Sequence, residues 1–167
     1  MEYYRVLKRG GSCIIWYDLF KIQSLKDFLE AAGFKQIRFI EWLKTNPVPI
    51  NSSATYLSNA REIAISCVKG GKATFNSKYD NGIYKYPIYS GKDRFHPTQK
   101  SLPLFEELIK KHSNEGDVVL DFCMGSGSTG VACKNLNRNF IGIEKDEEFY
   151  RMAQKRINET QVQTKLF

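Results

Sequence analysis

Long apolar runs are missing from this sequence. None approaches the roughly 20 residues that a membrane-spanning helix needs, and the opening stretch MEYYRVLKRGG has no apolar core of a secretory signal. No membrane partner is expected, and a cytoplasmic location is. Cysteine is scarce: Cys13, Cys67, Cys123 and Cys133 show no C-x-x-C spacing, and the 2 histidines have no metal-ligand pattern beside them. The thiols therefore read as reduced and mostly buried, and no metal is expected. Proline occupies only positions 47, 49, 87, 97 and 103, and no two of these are adjacent.

What is present fits one packed domain spanning 1–167, since 167 residues with 42% hydrophobic content can bury one core but not two independent ones. Lys and Arg number 25 against 18 acids, a formal charge of +7, so a polyanion is a plausible partner. The pattern predicts a helix end before Gly10-Gly11, then a buried strand in SCIIWYD. In SLKDFLEAAGF, Leu25, Phe28 and Leu29 mark a helix with Ser24 as its cap and Gly33 as its stop; KQIRFIEWLK and REIAISCVK read as strands around a Pro- and Ser-rich loop. Residues 69–95 lack a helical period and read as an exposed insertion in which Lys72, Lys78, Lys85, Lys92 and Arg94 alternate with aromatic rings. From Ser101, a candidate cap, the plan is helix, strand, glycine turn, helix, strand NFIGIE and a last helix. Helices alternating with buried strands predict an α/β sheet.

The turn in VVLDFCMGSGSTGVAC carries the chemistry. Gly125, Gly127 and Gly130 satisfy G-x-G-x-x-G between a strand and a helix, and Glu144 closes the next strand, where a carboxylate can accept bonds from two ribose hydroxyls. A helix beginning near Ser128 offers unpaired N–H groups to a ligand. A dinucleotide needs a second mononucleotide half that the remaining residues cannot supply, and no Lys follows the glycines as a phosphate loop requires. S-adenosylmethionine fits better, because it has no pyrophosphate and carries an α-amino group that Asp121 could neutralise.

Residues 95–157, from FHPTQKSLPLF through VVLDFCMGSGSTG to KDEEFYRMAQKRI, closely resemble the C-terminal part of the bacterial amino-group DNA methyltransferases of the circularly permuted β class. That family places H-P-T-x-K-P ahead of its cofactor turn; here the segment is His96, Pro97, Thr98, Gln99 and Lys100, with Ser101 in place of the last proline. EWLKTNPVPINSSATYLSNAREIAI similarly resembles the family's W-x-K-x-N-P-x-P and following strand. The resemblance implies a Rossmann-like α/β sheet with helices on both faces. It implies that Asp121, Gly125, Ser126, Gly127 and Ser128 line the methionine and ribose parts of S-adenosylmethionine, that Glu144 binds the ribose, and that His96 and Thr98 close over the cofactor. The family's D-P-F is Asp121-Phe122-Cys123 here, so either Phe122 or Cys123 faces the cofactor.

Family chemistry also rests on a tetrapeptide D-P-P-Y, or S-P-P-Y or W in cytosine members, whose polar groups and aromatic ring align an exocyclic amine for transfer. With no adjacent prolines, these 167 residues contain none, so no catalytic residue is assigned. The resemblance places that strand between the one ending at Asp121 and the one at Ile14 to Tyr17, so one or two N-terminal strands are expected to be missing, leaving two edges. The expected activity is methyl transfer to adenine N6, less so to cytosine N4, in double-stranded DNA, as in restriction–modification, with residues 69–95 as a short target-recognition region. A homodimer or a complementary N-terminal fragment is the expected protein partner. The alternative is a catalytically incomplete cofactor- or DNA-binding fragment; an NAD-dependent oxidoreductase is a distant third.

Overall fold

The computed structural model describes residues 2–49, 57–92, 94–96 and 98–161. It divides into two compact units, residues 1–87 and 88–167. In the first, helix α1 (Glu2–Val6) precedes strand β1 (Ser12–Tyr17), helix α2 (Ile22–Ala31) and strands β2 (Lys35–Lys44), β3 (Arg61–Val68) and β4 (Ile83–Tyr86). The sheet order is β1-β3-β2-β4; β3 runs antiparallel to both neighbours, and β4 joins the far side of β2 in parallel. As the central member, β3 buries Ala64, Ile65, Cys67 and Val68, whereas β2 alternates, hiding Ile40 and Trp42 and leaving Phe39 exposed.

The core of this unit is Leu29, Phe34, Ile65 and Cys67, ringed by Tyr4, Leu7, Cys13, Ile15, Ile22 and Leu25. Each large apolar side chain taken fully out of water contributes about 1.5–3 kcal/mol. Two local expectations are corrected here. Helix α2 starts at Ile22, after a single 3-10 turn (Leu19–Lys21) that Asp18 caps by accepting from the Phe20 N–H at 2.8 Å, so Ser24 lies inside the helix. Its buried stripe runs through Ile22, Leu25 and Leu29, and Phe28 is turned to solvent. Residues 83–86 are likewise a sheet strand within the segment read as an insertion, with Tyr84 buried and its hydroxyl donating to Asp80. The proline- and serine-rich loop lies partly outside the described residues; at its base Pro49 bridges Ser58.

The second unit contains helix α3 (Leu102–His112), strand β5 (Val118–Asp121), helix α4 (Ser128–Asn135), strand β6 (Asn139–Gly142) and helix α5 (Glu147–Glu159). Ser101 is the N-cap residue of α3, and Pro103 sits in its first turn, where a missing N–H is harmless. Strands β5 and β6 pair in parallel from Val118 opposite Asn139 to Asp121 opposite Gly142, with α4 as the crossover. Ile109, Ala132 and Cys133 form the core of this unit, packed by Leu102, Phe105, Val119, Leu136 and Phe140. Burial pushes the Cys133 thiol up to about 12, as suits an inert core residue. Asp121 and Glu144 both leave the carboxyl ends of parallel strands, where open α/β sheets place their ligands.

Among the described residues β1 and β5, the two strands flanking the expected gap, are each the last strand of their own sheet. No helix among them is long and apolar enough to cross a membrane.

Candidate functional site

All ten residues expected at a cofactor lie in the second unit, and the glycine turn gathers most of them. Gly127 is the N-cap of α4 at φ +73, a left-handed position; a Cβ there would stand 3.1 Å from both Ala153 Cβ and Ile157 Cδ1. Only glycine satisfies both the dihedral and the approach of α5. Ahead of it, Gly125 has no side chain on the face where the His96 ring rests, with Nε2 3.2 Å from where a Cβ would be.

The two carboxylates are fixed by the turn itself. Asp121 accepts the Cys123 N–H at 3.0 Å through Oδ1 and the Thr129 hydroxyl through Oδ2. Glu144 accepts the Gly125 N–H at 2.9 Å through Oε2 and the Asp146 N–H at 3.1 Å through Oε1. The Asp146 N–H, followed by those of Gly125 and Lys145 and the charge of His96, holds the Glu144 carboxyl below the usual glutamate range against partial desolvation. Because the folded value is lowered, the stabilisation is present above the ordinary glutamate range and is lost as pH falls through the folded value.

His96 faces Thr98 through Nδ1, which accepts its N–H at 3.2 Å and lies 3.2 Å from its hydroxyl; the ring also meets Phe149 edge-on at 4.5 Å. Pro97 lies outside the described residues. Ser126 and Ser128 are buried with hydroxyls 3.3 Å apart, and Ser128 donates to the Lys100 carbonyl at 3.3 Å, tying the 96–101 segment to the first residue of α4. Phe122 is half-buried and Cys123 exposed.

Four further residues belong to this constellation and carry weaker signals in the sequence. Thr129 holds Asp121, and Phe149 backs His96. Arg156 donates from α5 to the Ser126 carbonyl at 2.9 Å and the Ser128 hydroxyl at 3.3 Å, with its guanidinium 6.0 Å from the Tyr89 ring. In the sequence it reads only as one position in the register of the last helix. Gln99 is buried, and its Oε1 has no hydrogen-bond partner among the described residues; such an unmatched acceptor costs roughly 1–3 kcal/mol.

The basic residues are exposed as expected, but they divide: Lys72, Lys78 and Lys85 belong to the first unit, Lys92 and Arg94 to the second. Lys85 projects from β4. Of the interleaved rings, Tyr79 is 95% exposed and Tyr84 only 4%, so Tyr84 is part of the core and not available for stacking. No group of three potential metal ligands occurs among the described residues.

Residues 1–155 match the profile of the N6/N4 methylase family, described as DNA methylase. The chain belongs to this family. It is 37% identical to the type II methyltransferase M2.DpnII of Streptococcus pneumoniae, over 93% of this chain and 64% of that one. It is 33% identical to the type II methyltransferase M.HinfI of Haemophilus influenzae, over 93% of this chain and 48% of that one. The chain thus spans under two thirds of the length of these curated relatives. The crystal structure of an M1.HpyAVI complex with SAM superposes at a TM-score of 0.82 with 41% identity, covering 93% of this chain and 78% of that one. PvuII DNA methyltransferase, cytosine-N4-specific, superposes at 0.70 with 14% identity, a likeness of fold alone.

Proposed function

We propose that this chain is the cofactor-binding and greater part of an S-adenosylmethionine-dependent DNA amino-methyltransferase of the restriction–modification type, acting on adenine N6. The observation that carries the reading is the pair of carboxylates, Asp121 and Glu144, fixed on either side of the Gly125–Ser128 turn by N–H and hydroxyl donors of that turn and its flanks. The site fits the group. Gly125 leaves its backbone bare under His96, α4 turns its N-terminus toward the same loop, and two acids answer a ligand rich in hydroxyl and amino donors.

When bound, S-adenosylmethionine supplies an electrophilic methyl group on a sulfonium. The residues of this chain bind and orient. Glu144, kept ionised by the Asp146 and Gly125 amides, offers its remaining lone pairs to ribose hydroxyls. Asp121 does the same for the amino-acid end, and the N–H groups of α4 suit a carboxylate. His96, held by Thr98 and Phe149, covers Gly125 and limits water at the turn. Lys72, Lys78, Lys85, Lys92 and Arg94 are proposed to meet the phosphates of double-stranded DNA, with Tyr79 exposed beside them.

Activation of the amine is assigned to no residue here, because these residues include no D-P-P-Y or S-P-P-Y. A second reading follows from that: a cofactor- and DNA-binding fragment completed by a separate strand. The positions of β1 and β5 favour it, since among the described residues each is the last strand of its own sheet and an edge strand is a template for a further one. Radiolabelled transfer to unmethylated bacterial DNA by the chain alone, with nucleoside analysis of the product, separates the readings. The expected result is S-adenosylmethionine binding without turnover. Turnover giving N6-methyladenine would establish the full enzyme, N4-methylcytosine would reassign the target, and tighter binding of NAD would reject the cofactor.

A further inference from the structure

Two of the four cysteines face each other across a pair of strands. In the antiparallel register of β1 and β3, Cys13 stands directly opposite Cys67, and both belong to the apolar cluster that includes Leu25 and Leu29 of α2. Cys67 is fully buried and Cys13 half-buried on the last strand of the sheet, the side from which the pair can be reached. The thiols are hydrogen-bonded to each other, with Cys67 as donor. That bond holds the Cys13 thiol below the usual cysteine range against desolvation, and together with burial it pushes the Cys67 thiol up.

The spacing suits a covalent link. The Lys69 N–H donates to the Gly11 carbonyl at 3.1 Å just beyond the strand ends, and ladder bonds alternate along an antiparallel pair, so Cys13 and Cys67 form a hydrogen-bonded pair with Cα atoms about 5.5 Å apart. Disulfides span Cα separations of about 4.4–6.8 Å. The Cβ atoms of such a pair are the wider set in a ladder, which leaves a bond between them strained and easily reduced. Valine or alanine would fill these two positions as well, so packing alone does not call for two thiols.

We propose that Cys13 and Cys67 are a redox-modification site, a dithiol that a low-molecular-weight disulfide converts into a reversible staple between β1 and β3. The inference is independent of the cofactor reading. The Cys13 thiolate attacks one sulfur of the small disulfide and expels the other as a thiolate, which takes up the Cys13 proton. Cys67 then attacks the Cys13 sulfur, and its proton passes to the second departing thiolate. Two protein thiols thus lose two electrons and two protons in forming one S–S bond, and the small disulfide gains them as two thiols. The staple secures β1, which among the described residues pairs on one side only.

The test incubates the unmodified chain, Cys13→Ser and Cys67→Ala with oxidised glutathione, blocks the remaining thiols with iodoacetamide, and maps tryptic peptides before and after dithiothreitol. In the unmodified chain, peptide 10–21 is expected joined to peptide 62–69 and released by dithiothreitol. In Cys67→Ala, Cys13 stops at the glutathione adduct; in Cys13→Ser, Cys67 stays a free thiol. The unmodified chain is expected to melt about 4–8 °C higher oxidised than reduced, a difference absent from both variants. Cys123, which is exposed, reacts alike in all three chains and cancels from the comparison. If a variant does not fold, the reduced and oxidised forms of the unmodified chain carry the test. Cysteines 13 and 67 that alkylate only after unfolding, with no joined peptide, are inert core thiols and overturn the proposal. Joining that occurs only in urea, or an oxidised chain that melts no higher than the reduced one, overturns it too.

Discussion

In residues 1–87 the most deeply buried side chains are three hydrocarbons, a thiol and an indole: Leu29, Phe34, Ile65, Cys67 and Trp42, whose Nε1–H donates to the Tyr86 carbonyl at 2.8 Å. In residues 88–167 the buried set also includes Gln99, Ser101, Ser113, Ser126, Ser128 and Thr129. The first unit has fewer: the Lys44 ammonium is paired with Glu62 at 3.0 Å, the buried Tyr84 hydroxyl donates to Asp80, and the buried Ser12 Oγ has no partner among the described residues. Buried polar groups lower stability unless matched. Ser126, Ser128 and Thr129 gather at one glycine turn, the part of the molecule proposed above to hold the cofactor.

The contrast can be broken most forcefully from the first unit. Leu29→Ala should cost about 2–5 kcal/mol and lower the melting temperature, while the molecules still folded bind S-adenosylmethionine as tightly as before; a matching loss of intrinsic affinity would show that the division of labour is wrong. Gly127→Val should combine about 1–2 kcal/mol of left-handed strain with overpacking of about 1–3 kcal/mol against Ala153 and Ile157. Here calorimetry should find binding lost even at temperatures where circular dichroism shows a folded chain.

Arg156→Met removes charged donors to Ser126 and Ser128, each worth about 1.5–3 kcal/mol, and should weaken S-adenosylmethionine binding; Arg156→Lys, which keeps the charge, should recover part of it. The smallest effect is acidic. Glu144 stays ionised below the usual glutamate range, so titrating from neutral pH downward should leave binding level through that range and reduce it only below it. In Glu144→Gln that acid limb should disappear, which a pH series of calorimetric titrations can check.

The order of elements and the carboxylate pair were legible because their signals are local. Period-2 and period-3.6 patterns survive in β2 and α3, and Gly125, Gly127, Asp121 and Glu144 are punctuated by the strands that present them. What escaped was decided by tertiary partners. Ser24 has the chemistry of a cap, but α2 already begins at Ile22, after the 3-10 turn that Asp18 caps. Tyr84 sits among lysines, yet four residues pairing with β2 carry it into the core. Arg156 and Thr129 gain their roles only when α5 and the turn come together, and Gln99 is conspicuous only once its surroundings are known to be dry.

Strand pairing also sets a timetable for assembly. β5, α4 and β6 are consecutive, so their pair closes over one short helix, whereas Ser12 of β1 must wait for Val68 of β3. Pairing across so long a stretch of chain is slow, because the loop must be closed before contacts compensate for it. Both tryptophans belong to the slow sheet, where Trp16 and Trp42 meet edge to face at 6.4 Å. Intrinsic fluorescence during refolding is therefore a clock for β1 joining β3 and β2, and it is blind to the cofactor half.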